Sequence, residues 1–169
     1  MTDSIVDYAK LLRKINGEPE MQENGGMVDD HASLLAPYMW DEFVIPFWEQ
    51  RFTALFYGKG RAVHVENLMP AHLPYLAKAK VDHFQPSVSD MITLDAIKNY
   101  LPAGIDVDWL LYSYHITDMT DIQIQNWVDD VVQAGISIIR TQFGAYAHQI
   151  SKMDRIFAFM KAFEKYRVA

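Results

Sequence analysis

The chain contains no cysteine. That single absence excludes disulfide bonds, thiolate metal sites and a cysteine nucleophile, so metal or nucleophilic chemistry must rest on other side chains. Long apolar runs are missing too. Asp41, Glu42 and Glu49 interrupt the longest aromatic stretch, well short of the ~18 uninterrupted apolar residues of a membrane span. Nor is there an excess of positive charge. Lys and Arg number 15 against 22 Asp and Glu, a formal net charge of -7, whereas a phosphate backbone needs clustered cations. Asp3 and Asp7 sit among the first apolar positions, which is not the pattern of a secretory leader. These absences lead us to expect a cytoplasmic protein with no nucleic-acid or membrane partner.

What is present is a core-forming composition. With 169 residues, 50% of them hydrophobic, the chain has the material for a single domain over residues 1–169. Nine Met and 13% aromatic residues point to a bulky core or a covered apolar surface. No linker or low-complexity segment divides the chain.

One construction recurs: a short apolar strand, a polar cluster, then an amphipathic helix. It appears as GGMVDDHASLLAP, as RAVHVEN, as VDHFQPSVSD and as SIIRTQFGAYAH. Alternating strand and helix patterns predict parallel βα units, whose chemistry collects at the carboxyl ends of the strands. His31, His64, Glu66 and His148 all fall there. Around these units the periodicity predicts a first helix over residues 4–15 with the stripe Ile5, Tyr8, Leu11, Leu12 and Ile15. It predicts one long helix over residues 38–57, bent at Pro46, with Trp40, Phe43, Val44, Phe47, Trp48, Phe52 and Leu55 on its inner face. Strands are expected at residues 27–28, 61–65, 81–85 and 136–140, and a short strand or turn at residues 103–107. Thr120 and Gln123 form a capping box for a helix that buries Ile124, Trp127, Val128 and Val131. A closing helix, capped by Ser151 and Asp154, carries Met153, Ile156, Phe157, Met160 and Phe163.

Three groups of residues could carry chemistry. His64 and Glu66 are two apart on a strand, hence on one face, and an imidazole with a carboxylate suits zinc or a harder divalent ion. The plainer reading is a hydrogen-bonded pair at the end of the sheet. Asp29, Asp30 and His31 could position a substrate amine or supply a general base, or simply cap the following helix. His148 and His115 are further candidates, whereas His72 and His83 read as packing or surface residues.

The run DDHASLLAPYMWDEFVIPFWEQ, then AVHVEN, then LPAGIDVDWLL with Thr120–Gln123, resembles the C-terminal half of the uroporphyrinogen decarboxylase superfamily, which includes the corrinoid-dependent methyltransferases. The matching landmarks are Asp29-Asp30, residues 36–46, His64, Gly104-Ile105-Asp106-Val107 and Phe143-Gly144, and the likeness covers residues 21–166. It implies TIM-barrel-type parallel βα units, about half of a (β/α)8 barrel, since a whole one takes about 250 residues. It therefore also implies either a piece of a longer chain or a homo-oligomer in which copies complete one another. The function it implies is methyl transfer to or from a small substrate, with a corrinoid carried by a partner protein. Asp30 and His148 would be catalytic, Asp29, His31 and His115 would bind substrate, and His64 with Glu66 would hold a divalent metal. The chain departs from the family pattern at Glu66, which stands where the methyltransferases carry a metal-binding Cys, and no thiol occurs near Gly144. The alternatives are a non-catalytic fragment with an assembly role and a decarboxylase-like tetrapyrrole binder. The second lacks an arginine cluster to clamp a polycarboxylate.

Overall fold

The structure is a computed structural model and describes residues 2–58, 60–87, 89–142 and 153–167. The chain forms two compact units, residues 1–106 and 107–169. Every described strand pair in them is parallel, and helices alternate with the strands throughout. This is a mixed α/β protein. None of its described helices is long and apolar enough to cross a membrane.

The first unit opens with α1 (Thr2–Ile15) and then β1 (Gly25–Val28). The strand begins at the Gly25-Gly26 pair, two residues before the expected strand at residues 27–28. A Cβ at Gly25 would lie 1.8 Å from the Phe56 ring, so only glycine lets that ring pack against the strand. Two short 3-10 turns, Asp30–Leu34 and Pro37–Met39, lead into α2 (Trp40–Phe43) and α3 (Ile45–Leu55). The single bent helix of the sequence reading is thus two helices. Val44 takes φ -123°, ψ -60°, and Pro46 opens α3 instead of bending it from within. Proline lacks the N–H that the interior of a helix needs, but that donor is surplus in a first turn. Trp40, Val44, Trp48, Phe52 and Leu55 are buried as expected, while Phe43 and Phe47 are each 47% exposed.

β2 (Arg61–His64), α4 (Leu73–Lys78), β3 (His83–Gln85) and α5 (Leu94–Tyr100) complete the unit. The register places Met27, Val63 and Phe84 side by side across the sheet, and all three are buried. Because side chains alternate along a strand, Val28, His64 and Gln85 form the next row on the opposite face. That row holds the chemistry. Val65 and Leu68, just beyond β2, are fully buried and pin the loop that follows His64.

In the second unit β4 (Asp106–Tyr112) is a full strand where the sequence reading expected at most a short one, and α6 (Ser113–Asp118) follows it directly. α7 (Asp121–Gln133) has the expected capping box. Thr120 Oγ1 accepts the Gln123 N–H at 3.3 Å and Gln123 Oε1 accepts the Thr120 N–H at 2.8 Å. Gly135, at φ 80°, ends the helix in the left-handed conformation. β5 (Ile138–Gln142) pairs with β4, and Arg140 meets the buried Asp108 carboxylate at 2.7 Å. α8 (Met153–Glu164) packs on α7 through Phe159 and Ala162, joined by Ile124, Val128, Leu111 and Ile116. The expected stripe on α8 is met only in part: Phe163 packs against this core. Phe157 and Met160 are 61% and 60% exposed, and Phe159 carries the contact instead. Ser151, the expected cap, lies outside the described residues.

Candidate functional site

Three adjacent strands of the first unit end together, and each delivers one polar group to the same place. His64 is the last residue of β2, Gln85 is the last of β3, and Asp30 begins the turn that follows β1. Glu66 arrives from the loop after His64. His64 and Glu66 lie near one another, 3.6 Å between Nε2 and Oε1 and so beyond hydrogen-bond distance, and because β2 ends at His64 the loop and not the strand brings the carboxylate round.

The imidazole of His64 is the centre. Its Nδ1 is hydrogen-bonded to Gln85 Oε1. With the amide oxygen on that side, Nδ1 carries the proton and Nε2 is turned toward the carboxylates. Nε2 lies 3.7 Å from Asp30 Oδ1 and 3.6 Å from Glu66 Oε1. Asp30 Oδ1 also accepts the Glu66 backbone N–H at 2.9 Å, which fixes the loop after β2 against the turn after β1. Ser33 Oγ donates to the Asp30 carbonyl at 2.7 Å and holds that turn from the other side. The His64 side chain is 23% exposed, Asp30 45% and Glu66 40%, so the ring sits recessed between two solvent-reachable carboxylates.

Support beneath the cluster comes from aromatic residues of α2 and α3. The Trp48 indole donates to Asp29 Oδ2 at 2.7 Å, and the Trp40 indole donates to the Ala32 carbonyl at 3.1 Å. The Asp29 N–H in turn donates to the His64 carbonyl at 3.0 Å. Asp29 therefore stands one step back from Asp30, and its carboxylate holds the loop to α3. His31 is exposed beside it. His72 is fully buried. It accepts the Met69 N–H at Nδ1, 3.0 Å away, and its Nε2–H donates to the Leu35 carbonyl at 2.9 Å. Both ring nitrogens are used, so it is a packing residue as the sequence reading allowed. The backbone takes up strain close by: Asn67 and Ser87, three and two residues beyond their strands, adopt φ 60° and 59°. Non-glycine residues there cost on the order of 1 kcal/mol, and such strain gathers where loops are shaped for use.

His115 belongs to α6 of the second unit and is half-buried, its ring 6.3 Å from that of Tyr112. His148 lies outside the described residues. Among the described residues no set of three or more His, Asp and Glu is arranged to hold a metal ion. Gln85 is the member that sequence reasoning missed. The signal was its place as the last residue of a predicted strand, in register with His64.

Chemically the cluster offers a nitrogen base or acid at Nε2, oriented through Nδ1, with a negative field supplied by Asp30 and Glu66. A ligand presenting an N–H, O–H or cationic nitrogen meets an acceptor on each side of the ring. No protein-family model matches the chain, and no curated protein matches it either.

Proposed function

We propose that the chain is a barrel-half of the uroporphyrinogen decarboxylase type, closer to the corrinoid methyltransferase branch, and that the His64 cluster binds its small substrate. The observation that supports this reading is the convergence of His64, Asp30, Glu66 and Gln85 at the carboxyl ends of three neighbouring parallel strands. That is where βα barrels carry their chemistry. In this reading Gln85 orients the ring, Asp30 and Glu66 attract a donor or cationic group, and His64 Nε2 takes the proton from the substrate heteroatom that becomes methylated. A corrinoid borne by a partner protein would supply the methyl group as a methyl-cation equivalent, the electron pair of the broken cobalt–carbon bond staying with the corrinoid. With no cysteine in the chain, the nucleophile is the substrate's own heteroatom.

The tetrapyrrole alternative is disfavoured by the arginines. Arg61 pairs with Glu49, Arg140 with Asp108, and Arg155 with Asp121 and Asp154, while Arg13 donates to the carbonyls of Glu20 and Leu55. These guanidinium groups already serve the chain's own acceptors, where a polycarboxylate would need them free.

The test is to mix the chain with methylcobalamin and a panel of small thiols and amines, and to follow loss of the methyl-cobalt absorbance. We expect substrate-dependent demethylation that falls by roughly 100-fold or more in His64→Ala, the usual contribution of a positioned acid or base. No demethylation by wild-type chain with any member of the panel would contradict the methyltransferase reading.

A further inference from the structure

At the carboxyl end of the first unit's sheet, negative charge stands without a compensating cation. Residues 29–36 after β1, 65–72 after β2 and 86–93 after β3 hold Asp29, Asp30, Glu66 and Asp90, and no Lys or Arg. Among the described residues neither Asp30 nor Glu66 meets a Lys or Arg, and the ring of His64 is their neighbour instead. Elsewhere Asp41, Glu49 and Asp129 each pair with one of those cations. Hydrogen bonding is incomplete in the same place. With its Nδ1–H given to Gln85, His64 presents a lone pair at Nε2, and Asp30 Oδ1 and Glu66 Oε1 stand 3.7 and 3.6 Å from it. Those gaps are too wide for a direct hydrogen bond, and neither side of them has a proton to give. A donor nitrogen about 2.9 Å from Nε2 and from one carboxylate oxygen bridges either gap.

We infer that the ligand of this cluster is a small primary ammonium ion, and that the site discriminates against thiols and alcohols. The inference rests on the reading of the His64 cluster as the substrate site and narrows it, but it does not require the methyl-transfer chemistry. Donor count and charge both select the ligand. Nε2, Oδ1 and Oε1 are three acceptors around one space, and a primary ammonium brings three N–H donors together with a positive charge. A hydroxyl or a thiol brings a single donor and no charge. A thiol reacts as its thiolate, which would set a further negative charge beside two carboxylates. A quaternary ammonium has the charge but no N–H, so it leaves all three acceptors without a partner.

The backbone N–H of Glu66 donates to Asp30 Oδ1 at 2.9 Å, so its NMR resonance reports occupancy of the cluster directly. The full chain, nitrogen-labelled, is titrated at neutral pH and low salt with n-propylammonium, n-propanol, n-propanethiol and tetramethylammonium. Propylammonium is expected to shift that resonance saturably and to bind at least about 10-fold more tightly than each of the other three. Asp30→Asn and Glu66→Gln each remove one charge with little change of shape, and both side chains are exposed, so the variants keep their fold. Each should weaken propylammonium about 10-fold, and added salt should weaken it as well. Propanethiol or propanol binding at Glu66 as tightly as propylammonium would overturn the inference while leaving the cluster as the substrate site. Tetramethylammonium binding there equally well would also overturn it, since charge without donors would then suffice. Propylammonium binding that leaves the Glu66 resonance in place, or no binding by any of the four, would overturn it together with the reading on which it rests.

Discussion

Arg61 shows how much one side chain can hold together. It sits at the first position of β2, where its guanidinium binds Glu49 of α3 through both nitrogens, with Nη2 to Oε1 at 3.1 Å. It also donates to the Ala79 carbonyl at 3.2 Å and lies 5.2 Å from the centre of the Phe52 ring. The hydrogen bonds from Arg61, ahead of burial and of Lys80, hold the Glu49 carboxyl at about 2, below its ordinary 4.5. A depressed carboxylate stabilises the folded chain fully above the unfolded value and loses that contribution as pH falls through the folded one, here from about 4.5 to about 2. Glu49 is 40% exposed, so solvent screening leaves the pair worth only about 1 kcal/mol. Arg61→Ala forfeits the carbonyl bond and the ring contact too, and should cost about 2 kcal/mol at neutral pH. Urea unfolding at pH 7 and at pH 3 checks this. The gap between wild type and variant should narrow at the lower pH, and an unchanged gap would show that the ion pair contributes nothing.

Among the elements, α7 is the one whose limits could be read in advance, because they are set by local chemistry. Thr120 and Gln123 cap one another at the start and Gly135 stops the end. Thr120→Ala should therefore cost about 1 kcal/mol, read as a lowered midpoint of thermal unfolding with unchanged secondary structure. An unchanged midpoint would mean that the cap is satisfied by solvent. The strand ends at Asp30, His64 and Glu66 were legible for a similar reason: polar residues directly after short apolar runs. Elements set by their neighbours were not legible. Periodicity shows that α1 and α8 have apolar faces, but not which face meets the rest of the fold. On α8 the contact falls on Phe159 and Ala162 and leaves Phe157 and Met160 outside. Pro46 marked a disturbance correctly, yet whether it bends one helix or begins another depends on Val44, whose conformation no sequence pattern announces. Gln85 was hidden because a single amide at a strand end gains meaning only when the register sets it beside His64.

For the molecule as a whole, composition, fold and site point the same way. The absence of cysteine excludes a thiolate from the chain itself, and the parallel strands of the first unit bring His64 and Gln85 to their carboxyl ends. The central claim is that His64 is where a small donor-bearing molecule binds. The most direct measurement is an NMR titration of histidine-labelled chain, following the ring resonances of all six histidines as small amines and thiols are added. The account predicts saturable shifts at the His64 ring, with the fully buried His72 unmoved, and loss of binding in Asp30→Asn and in Glu66→Gln. Saturable binding that leaves the His64 resonances in place, or that persists undiminished in both variants, would contradict it.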